Sequence, residues 1–67
     1  MRNYILRLYD QFKQEGINKD TLKDNFIYMY ELVCEKTKGT RFEGKEQFIM
    51  NAIIKEFKGE ARQYGNK

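Results

Sequence analysis

Apolar residues recur along the chain at helical spacing in three places. Between residues 2 and 15, Ile5, Leu8, Tyr9 and Phe12 fall at the i, i+3, i+4, i+7 spacing of one helical face, and Tyr4 and Leu6 widen it. Tyr4, Leu6 and Leu8 also alternate as a strand would, but the continuation to Phe12 favours helix. The second place is the nine-residue run Phe26–Cys34, FIYMYELVC, in which Glu31 is the only charge. At about 100° per residue, Leu22, Phe26, Met29 and Val33 form one stripe of a helix. Ile27, Tyr30 and Cys34 form a second stripe, and Tyr28 and Leu32 a third. A helix apolar on most of its circumference is one that other elements surround, so the pattern predicts this run as the central helix, with Cys34 an inert core thiol. In the third place, Ile49, Met50, Ile53, Ile54 and Phe57 make one stripe, extended by Ala61 and Tyr64 if the helix survives Gly59.

Polar residues mark where these helices stop and start. Gly16 stands where a left-handed residue closes a helix, and Ile17 then faces Phe12 as the apolar contact of a Schellman motif. Asn18 as the next N-cap sets Ile17 against Leu22 as a hydrophobic staple, and Asp20 suits the positive end of the helix dipole. The second helix then runs from about Lys19 to Thr37, with Gly39 as its C′ residue. Thr40-Arg41-Phe42-Glu43 reads as a capping box opening the third, with Gly44 as a later alternative. The pattern thus predicts an all-α domain of three helices, near 2–15, 19–38 and 41–63, with short connections and a frayed tail at 64–67. Its expected core is Phe26, Met29, Val33, Ile49, Ile53 and Phe57.

Composition changes this picture mainly by what it removes. A chain of 67 residues reads as a single domain, and at that size its core leaves only a few kcal/mol of net stability. Cys34 is the only cysteine and histidine is absent, so neither an internal disulfide nor the usual zinc site is available. The chain also has no serine, which removes the Ser–His and Cys–His nucleophile pairs. No glycine-rich phosphate loop or cofactor motif occurs. Glu31 alone in an apolar run invites an acid–base role, but Asp24, Tyr28, Glu31 and Glu35 share one side of the second helix, so it reads as a solvent strip. The chain is therefore expected to be no enzyme and to need no cofactor or metal. MRNYILRLYDQF lacks the apolar stretch of a secretory signal, and no run approaches the length that spans a bilayer. A cytoplasmic protein is expected.

The 13 Lys+Arg against 10 Asp+Glu give a net charge of +3, and the distribution of those charges is more informative than the sum. On the third helix Gln47, Asn51, Lys55, Lys58 and Arg62 cluster opposite the apolar stripe. Lys58–Arg62 and Glu56–Glu60 are like-charge pairs at the spacing where opposite charges stabilise a helix. Such side chains contact phosphates and base edges. Lys36, Lys38, Arg41 and Lys45 gather at the junction of the second and third helices, where free N–H groups at a helix start bind phosphate. The first functional reading is a small regulator binding nucleic acid, DNA rather than RNA, through these residues. The competing reading is an inhibitor or adaptor of the phage or mobile-element type, which binds a larger protein through Asp24, Tyr28, Glu31 and Glu35. A plain solvated surface is the alternative to both. Surplus apolar residues (Leu6, Tyr28, Phe48) leave surface to cover, so a homodimer or a complex is expected.

No family is recognised. Gly39–Phe57, GTRFEGKEQFIMNAIIKEF, is similar to the second helix of ribbon–helix–helix regulators in following a polar turn. That fold needs a strand leading directly into its first helix, and here KQEGINKDTL intervenes after YILRLYD.

Overall fold

The computed structural model describes residues 1–65, with side chains through Gly59; Arg62, Ala61, Tyr64 and the tail at 66–67 lie outside the described side chains. The fold is all-helical, in the order α1 (Arg2–Gln14), α2 (Phe26–Thr37) and α3 (Glu46–Gly65), with no strand among the described residues. α1 and α2 both pack chiefly on α3. Ile5, Leu8 and Phe12 of α1, Met29 and Val33 of α2, and Ile49, Met50, Ile53 and Phe57 of α3 form the core, with Ile17 joining from the first connection.

α1 follows its sequence closely. The Ile17 N–H donates to the Phe12 carbonyl at 3.1 Å and the Gly16 N–H to the Lys13 carbonyl at 3.0 Å. Those two bonds are the Schellman pair, and Gly16 carries the left-handed φ of 92° it requires. Tyr9 meets Phe57 edge-on with centroids 4.7 Å apart, and Arg2 reaches Glu56 at 3.5 Å. Both contacts tie α1 to one flank of α3.

α2 begins at Phe26 rather than near Lys19. Asn18 does cap, but it caps a single turn. Its Oδ1 accepts from the Asp20 N–H at 2.8 Å, while the Asn18 N–H donates to Thr21 Oγ1 at 3.0 Å. Farther on, the Asn25 side chain donates to the Thr21 carbonyl at 2.8 Å, and Asn25 sits at φ −109°, ψ 8°, off the helical basin. Short polar side chains compete with the backbone ladder in this way. The helix restarts with the Met29 N–H on the Asn25 carbonyl at 2.9 Å.

The same thing happens before α3, which starts at Glu46 rather than at Arg41. Phe42 donates its N–H to Thr40 Oγ1 at 3.1 Å, and Glu43 Oε1 accepts the Gly39 N–H at 3.2 Å. One turn forms, and then Gly44 at φ 92° breaks it. Gly59 does not interrupt α3, which continues to Gly65.

Three expectations about α2 need correction. It is not the central helix, since α3 holds that place. Phe26 is 39% exposed rather than core, and Cys34 is exposed rather than buried. The late start explains this. With Leu22 in a turn, the buried face of α2 centres on Met29, Val33 and Thr37, and Phe26 and Cys34 are left at its edge or beyond.

Candidate nucleic-acid interface

α3 turns a continuous arc of polar residues outward. Ile54 borders the α2 side of that arc, and Glu56, paired with Arg2, borders the α1 side. Between them stand Gln47, Asn51, Lys55 and Lys58, all exposed, as the wheel anticipates. Gln47 Nε2 donates to Asn51 Oδ1 at 3.3 Å, one helical turn apart. Neither Lys55 nor Lys58 has a carboxylate within ion-pair distance among the described residues. Arg62 falls outside the described side chains.

Phe48 belongs to the same arc, at 61% exposure. It lies one turn before Asn51 and two turns before Lys55 on the helix surface, so the arc carries an aromatic face beside its cations. Sequence reasoning treated Phe48 only as surplus apolar surface. Its spacing to Asn51 and Lys55, three and seven residues on, was the available signal.

The junction is built differently from the expected phosphate site. Lys38, Arg41 and Lys45 are all exposed, and the Arg41 guanidinium lies over the Phe42 ring, 5.1 Å from its centroid. Phe42 in turn stacks on Tyr4 at 4.7 Å. Two backbone donors of the connecting turn, at Gly39 and Gly44, already have anionic partners from the chain itself. Glu46 Oε2 takes the Gly44 N–H at 3.0 Å, and Glu43 takes that of Gly39. The Gly44 N–H, the N–H of Glu46 itself and the Thr37 hydroxyl hold the Glu46 carboxyl below its ordinary pKa. An incoming phosphate would have to displace two carboxylates placed among the three cations. The turn leading into α3 is therefore already occupied by the chain's own carboxylates.

Thr37 locks this junction and was missed as well. It is the buried polar residue of the core. Its hydroxyl lies 2.8 Å from the Val33 carbonyl, 3.2 Å from that of Cys34 and 3.2 Å from Glu46 Oε2, within donating distance of each. The end of α2 is thereby joined to the start of α3.

The acidic strip on α2 is only partly assembled. Glu31 and Glu35 are exposed on the helix, whereas Asp24 lies in the preceding turn. Tyr28 donates its hydroxyl to Glu15 Oε1 at 2.8 Å and meets the Phe12 ring edge-on. The bond to Glu15 raises its pKa. Tyr28 thus ties α2 back to α1 while remaining 45% exposed.

Among the described residues no cluster of His, Cys, Asp or Glu could hold a metal ion, and no helix is long and apolar enough to cross a membrane. Comparison with protein-family models, curated proteins and solved structures gives no match.

Proposed function

We propose that the protein acts without catalysis, as a small regulator that binds nucleic acid through the outward arc of α3. The observation that carries this reading is the arc itself. Gln47, Asn51, Lys55 and Lys58 stand exposed on one side of a helix, and no described side chain there is acidic. Lysines so placed meet phosphates, and the amide side chains are nearest to base edges. Arg62 belongs to this set by its position in the sequence. Lys38, Arg41 and Lys45 contribute to the surrounding positive field rather than to a formed phosphate pocket, because Glu43 and Glu46 occupy the Gly39 and Gly44 N–H groups between them.

Phe48 refines the reading. An exposed aromatic ring beside cations offers a stacking surface to an unpaired base, a contact worth about 1–3 kcal/mol. Duplex offers no such base face away from its ends. Fluorescence anisotropy with labelled single strands and duplexes, titrated across salt concentrations, tests both statements. With two to three phosphates neutralised, log affinity falls against log salt with a slope of about −2 to −3 on duplex. Lys55→Glu with Lys58→Glu removes binding to both forms. Phe48→Ala weakens single-strand binding by roughly 10- to 100-fold and leaves duplex binding nearly unchanged. Absence of any salt-sensitive binding, or binding indifferent to the double lysine change, would rule the reading out.

A further inference from the structure

The outer side of α2 exposes large apolar side chains next to one another. Ile27 is 73% exposed and Phe26 39%. With Tyr30, Cys34 and Glu31 they line an open trough of about 300 Å³. Of these residues Phe26 alone borders the arc of α3 that the nucleic-acid reading uses, through a second trough that it shares with Lys58.

The charges around the trough are sorted by side. Glu31 edges it, and Glu35 follows one helical turn later, both exposed. At the opposite end the trough meets a second one at Phe26, where three lysines, Lys19, Lys23 and Lys58, outnumber the one carboxylate, Asp20, around a floor that includes Ile54. Lys19 lies 3.2 Å from Asp20 in an exposed pair, whose small worth leaves the ammonium open to a second carboxylate, and Lys23 and Lys58 have no ion-pair partner among the described residues. The face therefore runs from acidic, through apolar, to basic.

Such a face is complementary to itself. A two-fold axis lying in the face, across the line from the acidic to the basic end, lays each acidic end on the partner's basic end. The same operation presses apolar strip against apolar strip, which is how an isologous interface is built. A partner of uniform charge would meet repulsion at one end or the other. We infer that the outer face of α2 is a homodimer interface, covered by a second copy of this chain. Ile27 and Phe26 are its apolar anchors, and Glu31 and Glu35 meet Lys19 and Lys23 of the other copy. The strip is short, so the dimer belongs with the small, micromolar class of interfaces. Pairing also presents two α3 arcs from one particle, which would raise affinity for an extended ligand, although the interface itself does not depend on that ligand.

Light scattering on the full chain without nucleic acid provides the test. Wild-type protein is expected to pass from the monomer mass of 8.1 kDa to twice that value as concentration rises through the micromolar range. Ile27→Glu puts a charge in the apolar strip and weakens association by at least about a hundredfold. Because Ile27 is mostly exposed in the single chain, this variant keeps its far-ultraviolet circular dichroism. Glu31→Lys with Glu35→Lys makes both ends basic, and Lys19→Glu with Lys23→Glu makes both acidic. Each double variant alone is expected to associate about tenfold more weakly, in keeping with the small worth of exposed ion pairs, while an equimolar mixture recovers the dimer. Wild-type chain that stays monomeric at about millimolar concentration overturns the inference, as does a dimer indifferent to Ile27→Glu. A mixture of the two charge variants that stays monomeric overturns the self-complementary arrangement. Wild-type chain that stays monomeric but binds a purified foreign protein through Ile27 would give this face to a different partner.

Discussion

α2 and α3 illustrate two ways of using apolar residues, and only one of them makes a central helix. α2 is the more apolar of the two, but its apolar residues are spread over three stripes. α3 gathers Ile49, Met50, Ile53 and Phe57 on one buried face, and among its described residues Phe48 is the one large apolar side chain left exposed. Both neighbours pack on that single face. A 67-residue chain has too few elements to surround a helix on every side, so a second apolar stripe finds no cover within the chain. Segregation of apolar residues, not their number, decides which helix is enclosed.

The sharpest way to break this comparison is to truncate matched isoleucines on the two helices. Ile53 is fully buried and Ile27 largely exposed. Ile53→Ala should cost about 2–5 kcal/mol, transfer and cavity terms together, and so unfold much of a domain this small. Ile27→Ala should change the stability of the single chain by less than about 0.5 kcal/mol. Urea titrations at low protein concentration read both values. Similar losses at the two sites would mean that α2's outer stripe is buried after all.

A second prediction concerns the joint between the helices. Thr37→Val keeps the volume of a buried residue but removes the hydroxyl shared by Val33 and Glu46, with an expected loss of about 1 kcal/mol. The Glu46 carboxyl has its pKa lowered in the fold, chiefly by the Gly44 N–H. Its contribution is therefore present above the unfolded-state pKa and is lost as pH falls through the folded value. Glu46→Gln should accordingly lose less stability than wild type on acidification below the ordinary value of 4.5, as thermal melts across that window would show.

Much of this was legible beforehand, and the misses have a common physical origin. The α1 face, its Schellman stop and the α3 stripe rest on regular spacing plus a glycine with positive φ, and these signals are local. Both late helix starts come from genuine capping residues. Asn18 and Thr40 each cap a turn, as their sequences indicate, but Asn25 and Gly44 then end it. A capping box specifies a first turn and says nothing about a second. Of the candidate site, exposure of Gln47, Asn51, Lys55 and Lys58 followed from the wheel. The carboxylates of Glu43 and Glu46 on the junction's backbone donors did not, because that arrangement depends on where α3 begins. Phe48 was visible but misplaced, since exposed rings and buried ones look alike in sequence.

Two smaller effects sharpen the account of α3 and of the packing around it. Gly59 lies within α3, and a Cβ there would meet nothing within 4 Å. Gly59→Ala should stabilise the chain by about 0.5–1 kcal/mol, seen as a higher urea midpoint with unchanged slope. The Tyr4 hydroxyl is buried without a hydrogen-bond partner while its ring stacks on Phe42. Tyr4→Phe keeps the stack and removes the unsatisfied group, so it should stabilise by a few tenths of a kcal/mol to about 1 kcal/mol.

Cys34 offers the most direct test of the central claim, that α2's outer face is open in the single chain and closed by a second copy. It lines the trough and is the chain's only thiol, so its reaction with a chromogenic disulfide reports on that face alone. The reaction should be fast and stoichiometric in dilute native protein, and should slow as concentration rises through the dimer range. In Ile27→Glu it should stay fast throughout. A thiol that reacts only at the rate of global unfolding, at every concentration, would place Cys34 in the core and contradict the account.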